Sequence, residues 1–171
     1  YTFAKIAGTE GITTVAEDFA DAETFLSALL KATTKMDEDE VPSEQRILYS
    51  TPTLLNSVKA LDTYKSREAL QGFAKVVPVP ASRFYTKIKL LSGKDTELEG
   101  GYEKAEDGHV INFLIVHKPA VMKWDKHTVS NVIPARNNIE SDSDVLKYRK
   151  YGIVDVYANK VAGIYLSASA K

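Results

Sequence analysis

VINFLIVHKPAVMKWDKHT, Val110 to Thr128, decides how the chain is built. Val110 to His117 is a nearly continuous apolar run, interrupted by Asn112. A short run of this kind, rich in β-branched and aromatic side chains, reads as a strand buried on both faces. Pro119 then reads as the start of a short helix through Trp124, with Val121, Met122 and Trp124 supplying its packing. Asp125 and Lys126 turn the chain into another strand, His127 to Pro134. The segment is thus expected to be a strand–helix–strand corner, with His117 and His127 marking strand boundaries.

Upstream, residues 1–17 read as a loose entry segment broken by Gly8 and Gly11. Between Phe19 and Met36, Ala22, Phe25, Leu26, Leu29, Leu30 and Met36 recur at helical spacing. Asp18 or Asp21 serves as N-cap, and Glu23 suits the positive end of the helix dipole. Asp37 to Glu40 end this helix before Pro42. RILYS (46–50) is a short strand, and Thr51-Pro52 opens an amphipathic helix through Leu61. Residues 62–72 include a helical turn closed by Gly72, and FAKVVPVP (73–80) is a strand whose prolines place it at an edge. Residues 81–91 fit helix or strand equally.

Residues 92–108 carry Gly93, Gly100, Gly101 and Gly108 among acidic side chains and read as a mobile loop. ARNNIESDSD (135–144) is a polar loop. The tail from Leu146 is expected to hold two strands joined by a tight hairpin turn around Ala158-Asn159-Lys160. These elements make an α+β chain without a regular βαβ rhythm.

Composition limits the function. The 171 residues are 44% hydrophobic and 26% charged, which is ordinary for a globular domain. The net charge of -1 lacks the basic excess of a dedicated nucleic-acid binder. Cysteine is absent, which removes disulfide and thiolate chemistry. No apolar run is long enough to span a bilayer. The chain opens on Tyr1 and is read as a fragment or a processed chain.

Each candidate for chemistry has a plainer reading. His109, His117 and His127 show no metal-ligand spacing. Ser50 and Ser82 stand near strand ends, but neither has an assignable base or a nucleophile elbow. Asp37, Glu38, Asp39 and Glu40 read as a solvated helix stop. Asp142 and Asp144 lack the glycine and distal glutamate of a calcium loop. Gly100-Gly101 lies among carboxylates that would repel a phosphate. Tyr148, Arg149, Lys150 and Tyr151 could stack on a single strand of nucleic acid; the plainer reading is a strand entry with tyrosines at the core margin. No catalytic, cofactor-binding or metal-binding residue is assigned, and no cofactor.

Several stretches in order resemble the major capsid protein of tailed bacteriophages, of the Hong Kong 97 fold. EDFADAETFLSALLKATTKMDEDEVPSEQRILYSTPTLLNSVKAL (17–61) resembles that family's spine helix followed by strand, proline and short helix. KVVPVPASRFYT (75–86) resembles a strand with a P-x-S-R segment, and VINFLIVHKPAVMKW (110–124) a strand running into an H-K-x-A-V helix. YRKYGIVDVYANKVAGIYLSAS (148–169) resembles the terminal strands. The likeness runs from about Thr9 to Ser169.

The resemblance implies a two-lobed capsid subunit with a long spine helix, a mixed central sheet flanked by short helices, and a C-terminal β-hairpin. A peripheral lobe would comprise 1–44 and 146–171, and an axial lobe 45–145, with the loop 92–108 near a capsomer axis or a subunit seam. The family's N-terminal arm and extended loop have no counterpart here, so no crosslinking residue is carried over. The implied role is a structural virion protein of a phage or prophage, not an enzyme. It would self-assemble in the host cytoplasm into an icosahedral shell around the DNA. The implied partners are further copies of the chain, with scaffold, protease and portal during assembly; specific nucleic-acid binding and membrane contact are not expected. The alternatives are another phage particle component, a bacterial nanocompartment shell protein and a small cytoplasmic hydrolase.

Overall fold

A computed structural model describes residues 1–94 and 100–170. The fold is α+β, as expected, and is organised around a mixed five-stranded sheet. Its strands are β1 (Thr13–Ala16), β2 (Arg46–Ser50), β3 (Lys75–Pro78), β6 (Ile111–His117) and β9 (Ile164–Ala168), in the spatial order β1-β9-β6-β2-β3. β6 lies at the centre and runs antiparallel to both β9 and β2, while the outer pairs β1–β9 and β2–β3 are parallel. β3 takes the edge that its prolines require.

Two apolar layers cover the sheet. α2 (Ala22–Glu38) and α3 (Pro52–Leu61) supply one of them; Phe25, Leu29, Met36, Leu55 and Val58 join Leu48, Phe113, Ile115 and Tyr165 in a single core. The other layer gathers Ile6, Phe84, Leu114, Val116, Ile164 and Leu166. Strand alternation explains the division, because neighbours in β6 and β9 point to opposite faces. Ile111 and Phe113 break that rule by entering different layers. A register shift between them supplies the reason: the extra residue at Asn112 turns the strand over. Asn112 is held there by Thr51 N–H and Ser50 Oγ, which both donate to its carbonyl, while its side-chain amide donates to the Glu17 carbonyl at 2.7 Å.

Local chemistry fixes the helix starts. The Asp21 side chain accepts from Thr24 N–H at 2.9 Å, and the Thr24 hydroxyl closes a reciprocal capping box on α2. Thr63 and Ser66 do the same for α4 (Tyr64–Gln71), where sequence suggested only a turn.

The chain divides into two compact units, 1–121 with 156–171, and 122–155. The lobes expected at 1–44 with 146–171 and at 45–145 do not follow this division. The physical reason is that Phe25 of α2, Phe113 of β6 and Tyr165 of β9 share one aromatic cluster. The second unit is a two-stranded sheet of β7 (Val121–Ile133) and β8 (Val145–Val156), joined through residues 134–144.

Several local expectations need correction. The entry segment contains a helix, α1 (Thr2–Ala7), anchored by buried Ile6. The helix expected from Pro119 to Trp124 is one 3-10 turn, Lys118–Ala120, after which the chain extends at once into β7. The expected C-terminal hairpin does not form, because β8 pairs with β7 whereas β9 pairs with β1 and β6. A 3-10 segment, Ala158–Gly163, separates them in place of a tight turn. The expected loop 92–108 is flanked and partly occupied by a hairpin of β4 (Ile88–Leu90) and β5 (Tyr102–Lys104). Its acidic centre, 95–99, lies outside the described residues.

Candidate interaction surface

Several residues weighed for chemistry have structural partners. Ser50 is fully buried and its hydroxyl is spent on the Asn112 carbonyl at 2.9 Å. Ser82 lies in the 3-10 turn Ala81–Arg83, and its carbonyl accepts from the Tyr102 hydroxyl at 3.4 Å. Asp144 closes its own loop by accepting from Ala135 N–H at 2.7 Å. Among the described residues, no group of three or more His, Asp or Glu side chains is placed to hold a metal ion. His109 receives no partner at its buried Nδ1, while its backbone N–H donates to Thr86 Oγ1. His117 ends β6; burial, then the charges of Arg46 and Lys160, hold its pKa below the ordinary imidazole value. His127 lies in β7, its ring 6.2 Å from that of Tyr151.

The acidic stop at Asp37–Glu40 proves to be more than a solvated end. Asp37 receives the Arg46 guanidinium at 2.6 Å, and Arg46 is only 3% exposed. The same guanidinium donates to the Val41 and Pro42 carbonyls. This clamp joins the end of α2 to the start of β2. It was not legible in the sequence, because the Arg46 partners lie on a turn whose path only the packed fold defines. The hollow beside it, about 500 Å³, is lined by Leu29, Thr33, Arg46 and Glu68. Arg46, its buried cation, already has its acceptors.

The surface that calls for explanation is the unit 122–155. Most positions of β7 and β8 are exposed, so neither face is covered. Trp124 is 68% exposed, and Val132, Leu146, Tyr148, Tyr151 and Ile153 are also open to solvent. Tyr148 to Tyr151 therefore do not sit at a core margin. Within the unit, Lys150 pairs with Asp125 at 2.9 Å. That hydrogen bond holds the Asp125 carboxyl below its usual range and raises Lys150. A two-stranded sheet is marginally stable by itself in water. Exposed apolar side chains in such number make the unit a candidate interaction surface. A signal for this was present in the sequence: charges occupy alternate and adjacent positions in KWDK and KYRK, so neither strand has a purely apolar face.

No family model matches the chain, and no curated protein matches it. Solved structures do. A chain of Mycobacterium phage Che8 superposes with a TM-score of 0.57 and 11% identity, over 96% of this chain and 55% of that one. A chain from the capsid structure of the cyanophage P-SCSP1u superposes with a TM-score of 0.62 and 14% identity, over 99% of this chain and 59% of that one. The chain shares its fold with that chain of a phage capsid structure. This chain spans little more than half the length of the chains it matches.

Among the described residues no helix is long and apolar enough to cross a membrane.

Proposed function

We propose that the chain belongs to the major capsid subunit of a tailed phage or prophage, of the Hong Kong 97 lineage. Its role is structural: copies associate into an icosahedral shell that encloses the genome. The observation that carries this reading is the fold match to a phage capsid chain over 99% of these residues. The uncovered unit 122–155 supports it, because a subunit that lives among neighbours can leave such a surface to be covered by them.

In this reading the lobes of the subunit follow packing, with 1–121 and 156–171 in one and 122–155 in the other. The partners are further copies of the chain, joined during assembly by scaffold, protease and portal, and the mature location is the virion. In this reading the role is not catalytic.

Gradient sedimentation of the protein, expressed at the full length its gene encodes, tests the proposal. Shell-sized particles composed mainly of this protein are expected. A protein that sediments as a monomer or small oligomer at every concentration, without particles, would overturn it.

A further inference from the structure

The chain leaves the five-stranded unit after Val121 and returns to it at Val156. Each crossing adjoins a short 3-10 segment, Lys118–Ala120 on the way out and Ala158–Gly163 on the way back. Two backbone hydrogen bonds hold this root closed: Tyr157 N–H donates to the Ala120 carbonyl at 3.0 Å, and Lys118 N–H to the Gln45 carbonyl at 3.1 Å. His117 stands at the root. It is the last residue of β6 and lies opposite Arg46 of β2. On its other side is Gly163, where an added Cβ would lie 3.2 Å from the His117 Cβ and 3.1 Å from the Ala120 Cβ. The two 3-10 segments thus approach too closely at this point for a side chain at residue 163.

The imidazole is seated among cations. Arg46 faces it from β2, and Lys160 acts on it from the second 3-10 segment, where the ammonium lies 5.5 Å from the centroid of the Tyr157 ring. Lys118 follows it in the chain, and β9 contributes apolar Ile164 opposite Val116. Asp37, the carboxylate of the clamp, is already bound to Arg46. Burial, then the charges of Arg46 and Lys160, therefore oppose a proton on the ring. The closed root accommodates a neutral imidazole and penalises a charged one.

We propose that His117 makes the root of the 122–155 hairpin a proton-sensitive joint: a neutral ring keeps the two 3-10 segments together, and a protonated ring, repelled by Arg46 and Lys160, favours their separation. Opening admits water to the ring, so the open root takes up a proton near the ordinary imidazole value of about 6.5, and the closed root only at lower pH. The open population therefore grows as the pH falls through about 6.5 toward the value of the closed root. The segments that open are the ones through which 122–155 is tethered, so weak acid loosens the attachment of the unit that carries the exposed surface. The joint is built from residues of the sheet unit alone and does not depend on shell formation.

Amide hydrogen exchange of the whole chain, followed by nuclear magnetic resonance from pH 7.5 to 5 and corrected for intrinsic rates, tests the joint. The Tyr157 and Lys118 amides report the root, and the amides of central β6 report the core. Protection at Tyr157 is expected to be weaker than in β6 at every pH, because the root opens without the rest of the fold. It should fall by about twofold or more as the pH drops across this range, and Lys118 should follow it. In His117→Asn the fall should vanish. In Lys160→Gln it should shrink, because one of the two repelling charges is gone, and the His117 ring, read directly by its own resonances, should titrate closer to 6.5. Circular dichroism confirms that each variant is folded. Tyr157 protection that does not change with pH, a fall that persists in His117→Asn, or a His117 titration unmoved by Lys160→Gln would overturn the joint. So would Tyr157 protection equal to that of β6, since the root would then open only with the whole fold.

Discussion

Replacing Phe113 by Ala probes the packing that joins the helix layer to the centre of the sheet. Phe113 is fully buried in β6. Its ring stacks on Tyr165 of β9 at 6.0 Å, meets Phe25 of α2 edge-on at 5.7 Å, and lies 6.3 Å from Phe19. Truncation removes the transfer free energy of a phenyl ring and leaves a cavity between elements that come from distant parts of the chain. Core Phe→Ala changes of this kind cost about 3–5 kcal/mol. Three aromatic neighbours argue for the upper half of that range, because each well-oriented pair adds roughly 0.5–1.5 kcal/mol beyond area burial. Domains of this size have total stabilities of about 5–15 kcal/mol, so the variant should be near the edge of folding. Phe113→Leu keeps most of the volume and should cost about 1–2 kcal/mol, between a volume-conserving swap and a full truncation. Urea unfolding followed by far-ultraviolet circular dichroism measures both. If α2 and β9 belonged to a lobe separate from β6, Phe113→Ala would cost little. A loss below about 1.5 kcal/mol with an unchanged m-value would refute the shared core, because full truncation in a rigid core exceeds that.

Further outcomes follow from other residues. Arg46→Met should destabilise the chain by about 2–3 kcal/mol, since two turn carbonyls lose a charged donor, whereas Asp37→Ala should cost about 1 kcal/mol or less because its carboxylate is mostly in water. Equal losses in urea melts would contradict the clamp. Lowered in the folded chain, the His117 pKa means that the unfolded chain binds more protons just below its own value of about 6.5. Stability from this group is therefore complete above that pH and declines as the pH falls through it toward the folded value; melts from pH 7.5 to 5 should show the decline, and His117→Asn should flatten it. Gly108→Ala places a Cβ 2.7 Å from the Lys87 carbonyl oxygen and 3.1 Å from that of Ala105. Backbone must move, so a loss of about 1–3 kcal/mol is expected, and a melting temperature unchanged by the substitution would count against the turn geometry.

How much was legible in the sequence follows from how local each signal was. α2 could be read from its 3.6-residue spacing and Asp21 cap, β2 from RILYS, α3 from Thr51-Pro52, and the edge position of β3 from its prolines. These depend on residues within a turn or two of one another. The long β7 was missed where Pro119 imitates a helix start; what extends the chain there is pairing with β8, a partner beyond the 134–144 turn. The tail misled for the same reason. Two strands close in sequence suggested a hairpin, yet β9 finds better burial between β1 and β6, and Tyr165 and Leu166 reach opposite apolar layers there. The interaction surface was half legible. YRKY (148–151) stands out in the sequence, but the exposure of its tyrosines depends on the strand pairing, so side chains that local pattern would send to a core margin remain in solvent.

Electron cryomicroscopy of the protein, expressed at the full length its gene encodes and concentrated under assembly conditions, tests the central claim most directly. The account predicts closed shells whose repeating unit contains the sheet β1-β9-β6-β2-β3 with α2 across one face, and with density from a neighbouring copy against residues 122–155. Dispersed single subunits with no particles, or particles in which 122–155 meets only solvent, would contradict it.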